Sequence, residues 1–557
     1  MANPKSSKLL TRALPLIIFL VGALPILLHL GTAGLFETSE GRYASVARYM
    51  LDSEDWLTPH QNGLKHFTKP PLTYWLSAAG MKIAGINELG ARLFLSIAAG
   101  LTALGTFYIG RLLIDRTTGI LASIILVSSL FFQIQFRGLT TDPYLAAFET
   151  LMALTFFCYL KNPRQLWENA FWLMAAAAMM TKGPPGLLPL LGLIPAAILI
   201  GQASSVTRLF KSISGWIIFV IFGLGWYLLM ALMHPGLLSY FLIDETIKRV
   251  ASDTHQRSAP FYYFIVLLPL GVFPWSAFFF SALSGLIANF KKNQASTFLL
   301  LWLTVPLLVF TISRSKLAGY ALPLLIPLAL ITAASVRRTF PANRKDLTAS
   351  AQRHSVVIAA FIALSGMALS GWGYINYEQA TTLAQTAIFA GIFWLFSSLM
   401  LIAFVVKNNR NGAFAVITLL VPALMFFILP GIRGNEPLRE GKYLTSQWLL
   451  LKRIATLPPE QKIICIDNMI EGWYFYTGRE VTTFNVNRVT QFDIERANTL
   501  VLNDNEALRQ ALDSDTMLVL PNKSIEKIEN ITGTSLHIIT GEGSWKVAMP
   551  TRKTFKQ

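Results

Sequence analysis

The sequence predicts a polytopic α-helical membrane protein with a C-terminal soluble α/β domain, and three observations carry that prediction. The 557 residues are 53% hydrophobic and only 14% charged, where a soluble chain carries about a quarter charged residues. Apolar runs close to the ~20 residues that cross a bilayer recur through residues 1–430. After Pro430 the pattern changes to short apolar runs between turn signals.

The elements follow in order. Lys5, Lys8 and Arg12 precede an apolar run over 13–30 with no small-residue cleavage site, so it reads as a retained first span. The other candidate spans are 91–110, 118–136, 144–160, 170–181, 185–202, 213–233, 261–286, 297–312, 318–336, 355–375, 384–406 and 413–429, about thirteen in all. Lysine and arginine mark cytoplasmic loops. With the N-terminus inside, most loop cations fall inside, and only Arg137, Lys182, Arg314 and Lys316 sit in short outer loops. Reading 170–202 as one helix would invert every later loop, so Gly183-Pro184-Pro185 is taken as a break between two. Residues 31–90 are amphipathic and suit helices in the interface plane, and 234–260 form a polar outer loop. In 431–557, strands are expected at Ile463–Ile466, Thr482–Val486, Leu500–Leu502, Met517–Leu520, Leu536–Ile539 and Trp545–Met549, with helices at Pro437–Leu457 and Val489–Asn498. An odd number of spans puts this domain outside, in the periplasm.

Net charge is +17. It is spread over loops between spans, which speaks against a nucleic-acid partner and for the bilayer and an anionic lipid substrate. Cys158 and Cys465 lie in unlike surroundings and make no disulfide framework. No P-loop, GxGxxG, HExxH or CxxC pair is present, so neither nucleotide nor a tightly held metal is implied.

Six polar clusters fall on the predicted outer face: Ser39–Tyr43, His66–Pro71, Thr141–Pro143, Thr181–Pro184, His255–Arg257 and Ser313–Leu317. Glu40 and Asp142, at outer helix ends, are the candidate catalytic acids, because an ionised carboxylate beside lipid is costly unless it faces a wet cavity. The plainer readings are a solvated loop acid for Glu40, and for Asp142 a helix N-cap with Pro143 at N1. Lys69, stiffened by Pro70-Pro71, Arg257 and Lys316 are candidate phosphate ligands, with Tyr320 a hydroxyl donor one turn on. Snorkelling to the headgroups is the plainer reading for Lys69. Arg42, Tyr43, Lys182, His255 and Arg314 complete the candidate substrate contacts. A divalent ion between Glu40 and His66 is a further option, not a requirement.

Glu40-Gly41-Arg42-Tyr43-Ala44, Asp55–Pro59, Lys69–Trp75, Asp142-Pro143, Thr181–Pro184, Pro269–Trp275 and Lys316–Pro323 resemble, in order, the GT-C glycosyltransferases of the lipid A aminoarabinose transferase and protein O-mannosyltransferase-like family. The resemblance covers about residues 13–330. It implies a sugar donor on undecaprenyl phosphate, a lipid A-like acceptor, inverting transfer at the periplasmic face of the inner membrane, and resistance to polymyxin and other cationic peptides. It departs at Ser39, where the family has Asp, at Thr68, where it has Glu, and at Ala318, where it has Pro. Rival readings are another sugar or acceptor on the same fold, or a transporter of lipid-linked sugars. A monomer is expected.

Overall fold

The computed structural model describes residues 4–36, 39–243, 259–341, 346–377, 381–428, 437–439, 442–443, 448–467, 469–486, 492–542 and 545–551. The first half is built from α1 (Pro4–Leu27), α2 (Ser39–Ser53), α3 (Leu72–Ala84), α4 (Glu88–Leu113), α5 (Arg116–Val127), α6 (Leu130–Gln135), α7 (Thr141–Lys161), α8 (Gln165–Lys182), α9 (Leu188–Leu199), α10 (Ala203–Phe210) and α11 (Ile213–Met233). A hairpin of β1 (His60–Gln61) and β2 (Leu64–Lys65) joins α2 to α3. Then come α12 (Tyr263–Gly271), α13 (Trp275–Ala288), α14 (Gln294–Ile312), α15 (Ala318–Thr339), α16 (Ala349–Ile375), α17 (Ala384–Val406) and α18 (Arg410–Ile428).

All thirteen apolar segments lie on helices. Among the described residues, seven helices are long and apolar enough to cross a membrane: α4, α7, α11, α14, α15, α16 and α17. The predicted straight span 261–286 is instead two helices, α12 and α13, bent by 113°. Pro269 inside α12 and Pro274 before α13 withhold backbone donors where a straight helix needs them. The protein is therefore a multi-pass membrane protein. Ile213, Leu232, Phe280 and Leu399 point outward from the bundle, as lipid-facing side chains do.

Local chemistry sets the helix ends. Asn87 accepts from Gly90 N at the start of α4, and Asp115 from Thr118 N at the start of α5. Gly183 has φ +76° and ends α8. Past it, Gly186 packs back against Ala178 of α8, so the chain reverses at the predicted break. Small residues bring α1 against α4, where Gly22 meets Ala99 and Ala103. α4 is the hub, touching α1, α3, α5 and α7, while α7 also packs on α8, and α9 on α14.

The C-terminal part holds β3 (Pro437–Arg439), β4 (Lys442–Tyr443), α19 (Trp448–Ala455), β5 (Ile463–Ile466), α20 (Trp473–Thr477), β6 (Thr482–Phe484), α21 (Ile494–Leu500), β7 (Val501–Leu502), α22 (Asn505–Ala511), β8 (Met517–Pro521), α23 (Ile525–Thr532), β9 (Leu536–Glu542) and β10 (Trp545–Pro550). Every predicted strand is there, in one six-stranded sheet ordered β7-β6-β5-β8-β10-β9. β5 through β8 are parallel, and β10 runs antiparallel to both β8 and β9. The helix expected over Pro437–Leu457 is corrected in its first part, which holds the β3–β4 pair; α19 covers Trp448–Ala455, and residues 440–441 and 444–447 lie outside the described ones. The expected Val489–Asn498 helix is shifted, with α21 over Ile494–Leu500 and residues 487–491 outside the described ones.

Candidate active site

The two candidate acids have opposite surroundings. Glu40 opens α2 and is 2% exposed. Its Oε1 accepts from Arg92 Nε (3.0 Å) and Leu139 N (2.5 Å), and its Oε2 from Arg92 Nη2 (2.5 Å) and Phe36 N (2.7 Å). A carboxylate has about four lone-pair sites, so this one is saturated. Arg92, equally buried in α4, spends its other donors on the carbonyls of Leu30, Ala33 and Gly34. Glu40, expected as a catalytic acid, is thus held on all sides by Arg92 and two backbone N–H groups. It anchors the turn after α1, α4 and the approach to α7. Among the described residues no group of three or more His, Cys, Asp or Glu could hold a metal.

Asp142 is different. It lies in the first turn of α7, not at its cap: Thr140 is the N-cap, and its hydroxyl accepts from Asp142 N. The N-cap reading of Asp142 is thus corrected, because Thr140 already has the extended backbone and the oxygen that the position needs. Asp142 Oδ1 accepts from Lys182 Nζ at the end of α8. Oδ2 has no hydrogen-bond donor among the described residues and faces Gly319, where a Cβ would overlap the carboxylate. Lys182 also lies 4.3 Å from the centre of the Tyr320 ring, a cation–π distance. α7, α8 and the first turn of α15 therefore converge on one carboxylate, one ammonium and one phenol.

The remaining candidates are placed as follows. Lys316 is 8% exposed and donates to Ser313 O, while Arg314 beside it is exposed. Lys69 Nζ donates to Thr68 O, and the Thr68 hydroxyl meets His66 Nε2 at 2.7 Å. Tyr43 is buried against Tyr74. Arg42 donates to Glu471 Oε1 (2.8 Å), whose other oxygen takes Gln61 Nε2, so the C-terminal sheet region is clamped to α2. Gly41 serves the same contact, since a Cβ there would strike Gly472 N. His255 and Arg257 lie outside the described residues.

Beside this clamp, burial and then Glu480 push the Tyr49 phenol up to about 12. Burial also lowers His60, which stacks on Tyr49 with ring centres 5.0 Å apart.

The family described as dolichyl-phosphate-mannose-protein mannosyltransferase matches residues 68–227. An undecaprenyl phosphate-α-4-amino-4-deoxy-L-arabinose arabinosyl transferase of Sodalis glossinidius (strain morsitans) is 30% identical over 72% of this chain and 74% of its own length. Its counterpart in Pectobacterium carotovorum subsp. carotovorum (strain PC1) is 30% identical over 72% of each chain. The chain belongs to this arabinosyl transferase family. Its fold is the family's GT-C glycosyltransferase fold. The crystal structure of ArnT from Cupriavidus metallidurans bound to undecaprenyl phosphate superposes with TM-score 0.81 at 20% identity, covering 98% of both chains.

Sequence reasoning missed Arg92, which lay inside a predicted span. It also passed over Gly319, seen only as part of a motif, and Glu471 beyond the reach of the resemblance. An arginine within an apolar run was the available signal, because such a residue needs a buried partner.

Proposed function

We propose that this glycosyltransferase moves 4-amino-4-deoxy-L-arabinose from undecaprenyl phosphate to lipid A, with inversion, at the periplasmic face of the inner membrane. The N-terminus is then cytoplasmic, and the C-terminal α/β domain (431–557) stands outside over the transmembrane part (1–430). The observation that carries the reading is the convergence of Asp142, Lys182 and Tyr320 at adjoining helix ends, in a chain whose relatives are named for arabinosyl transfer with undecaprenyl phosphate-aminoarabinose.

Three demands define the chemistry: a base for the acceptor, charge stabilisation for the leaving phosphate, and alignment of both substrates. Asp142 Oδ2 takes the acceptor's proton as the acceptor oxygen bonds to the sugar carbon. The bond from that carbon to the phosphate oxygen breaks, and its electron pair stays on undecaprenyl phosphate. Lys69, Lys316 and Tyr320 hold that phosphate, with Arg257 from the outer loop. Arg42, Tyr43, Lys182, His255 and Arg314 line the substrates' approach. A monophosphate leaving group carries less charge than a nucleotide diphosphate, so we take these cations to suffice with no metal required. Undiminished turnover after chelation with EDTA is the expected outcome.

The departures at Ser39, Thr68 and Ala318 favour one second reading, in which the same chemistry serves another polyprenyl-phosphate sugar or acceptor. The deciding experiment incubates purified protein in lipid with radiolabelled undecaprenyl-phosphate aminoarabinose and lipid A. Label on lipid A with wild type and not with Asp142→Asn supports the proposal. Absence of transfer by wild type removes this substrate pair.

A further inference from the structure

Below the Asp142–Lys182 pair, α7 carries a second acid. Glu149 is seven residues past Asp142, about two helical turns, and so lies under it on the same face. It is 3% exposed, and its Oε2 is sealed from solvent with no hydrogen-bond partner among the described residues. That is the reverse of Glu40, whose every acceptor site is filled. A buried carboxylate without a partner is costly, and inside a membrane span such a group marks function by default. α4, α8, α9 and the first turns of α15 pack on α7. The charges that reach Glu149 are Lys182, from α8, and Asp142, from its own helix. Two acids on one face of α7 thus lie within the field of a single ammonium, which bonds Asp142 and sits on a flexible four-carbon stem.

We propose that Glu149 is a positioning residue for Asp142: the two carboxyls compete for Lys182, and Glu149 sets how firmly that ammonium is held on the reacting acid. With Lys182 seated outward, Asp142 is ionised and oriented. With Lys182 drawn inward, Asp142 becomes the stronger base. The proposal rests on the reading of Asp142 as the base, so its test has one arm that needs no sugar.

In that arm the full-length protein in lipid is treated with an apolar carbodiimide, which attacks protonated carboxyls, and labelling of the Glu149 peptide is followed by mass spectrometry. All three proteins are compared at a pH where wild-type labelling is well below its acid plateau; Lys182→Met removes the cation that favours the ionised form, and labelling there should rise about threefold or more. Asp142→Asn releases Lys182 to Glu149, and labelling should fall by a similar factor. Equal labelling in all three proteins overturns the coupling, whatever the substrates prove to be.

In the second arm Glu149→Gln keeps the shape and removes the competitor. Lys182 then stays on Asp142, so the acid limb of the kcat profile should move to lower pH by about half a unit or more, with the donor KM unchanged. A profile superimposable on wild type overturns the positioning role, because a purely structural residue would change stability and leave the limb in place. Glu149→Met, of similar volume, serves if the glutamine variant does not fold. Wild type that labels as expected yet transfers no sugar refutes the substrate assignment and leaves the coupling standing.

Discussion

Glu40 and Asp142 look alike in the sequence, each an acid at the outer end of a helix beside a cation-bearing motif. In the structure they divide the work. Glu40 meets an arginine fork and two backbone N–H groups, and no lone pair is left for chemistry. Asp142 meets one lysine through one oxygen, and its other oxygen faces a glycine. The two are linked through the chain, because Glu40 holds Leu139 just ahead of α7, and α7 begins with Asp142. Saturation suits a carboxylate to fastening, and an oxygen without a donor leaves it open to a substrate.

The largest effect should come from breaking the fastening. Glu40→Gln leaves Arg92 buried without its counter-charge, a change that costs about 3–5 kcal/mol. The expected result is a strongly lowered Tm in lipid or detergent. A double variant Glu40→Met/Arg92→Met should recover part of the loss, because the pair is coupled. A Glu40→Gln protein with wild-type Tm and no turnover would return Glu40 to the catalytic role and collapse the contrast.

The second effect belongs to the other acid. Asp142→Asn keeps the size and the contact with Gly319 and removes the proposed base. Turnover should fall by about 100-fold or more, with Tm lowered less than by Glu40→Gln, because Asp142 meets one cation through one oxygen and the carboxamide keeps an oxygen for it. Single-turnover transfer measured beside thermal unfolding separates the two readouts. Loss of fold in place of loss of rate would make Asp142 a second fastening.

Why the sequence did not show how the two acids differ in their surroundings is a question of distance along the chain. The apolar runs are local, so all thirteen fell on helices, and the strands of the C-terminal sheet were equally legible from alternation and turns. Lys182 was legible as well, because it broke the positive-inside pattern. Arg92 was hidden inside an apolar run, 52 positions from Glu40, and nothing local says that its fork closes on that carboxylate. The α12–α13 bend and the β3–β4 pair were missed for a related reason. Hydropathy reports the environment of a segment, not its path, and the Pro437–Leu457 stretch forms a sheet contact that overrides its helical pattern. Glu471 lay outside the resemblance, and its contact with Arg42 spans more than four hundred residues.

A subtler change tests the open side of Asp142. Gly319→Ala places a methyl against Oδ2. Overpacking of this kind costs about 1–3 kcal/mol. Here it should appear mainly as turnover, about tenfold for each 1.4 kcal/mol, because the first turn of α15 is pushed away from the carboxylate it abuts. In combination with Asp142→Asn the alanine should add little further loss, since both act on one group. Additive losses would mean that Gly319 serves folding alone.

The smallest effect sharpens the contrast by pH. His60 belongs to the Glu40 side, on the hairpin next to the clamp that joins α2 to the C-terminal region. Burial lowers its pKa below the ordinary 6.5, although Asp55 and the Thr58 carbonyl act the other way. The folded protein therefore holds His60 neutral, and the unfolded chain takes up the proton first. Its contribution to stability is full above pH 6.5 and is lost as pH falls through the lower folded value. Tm should decline on that acid side, and His60→Phe, which keeps a ring against Tyr49, should flatten the decline. Turnover at pH 7 should be unchanged. If His60→Phe altered the pH dependence of turnover and left that of Tm untouched, titration on the fastening side would be reaching the reacting acid, and the division between the two carboxylates would not hold.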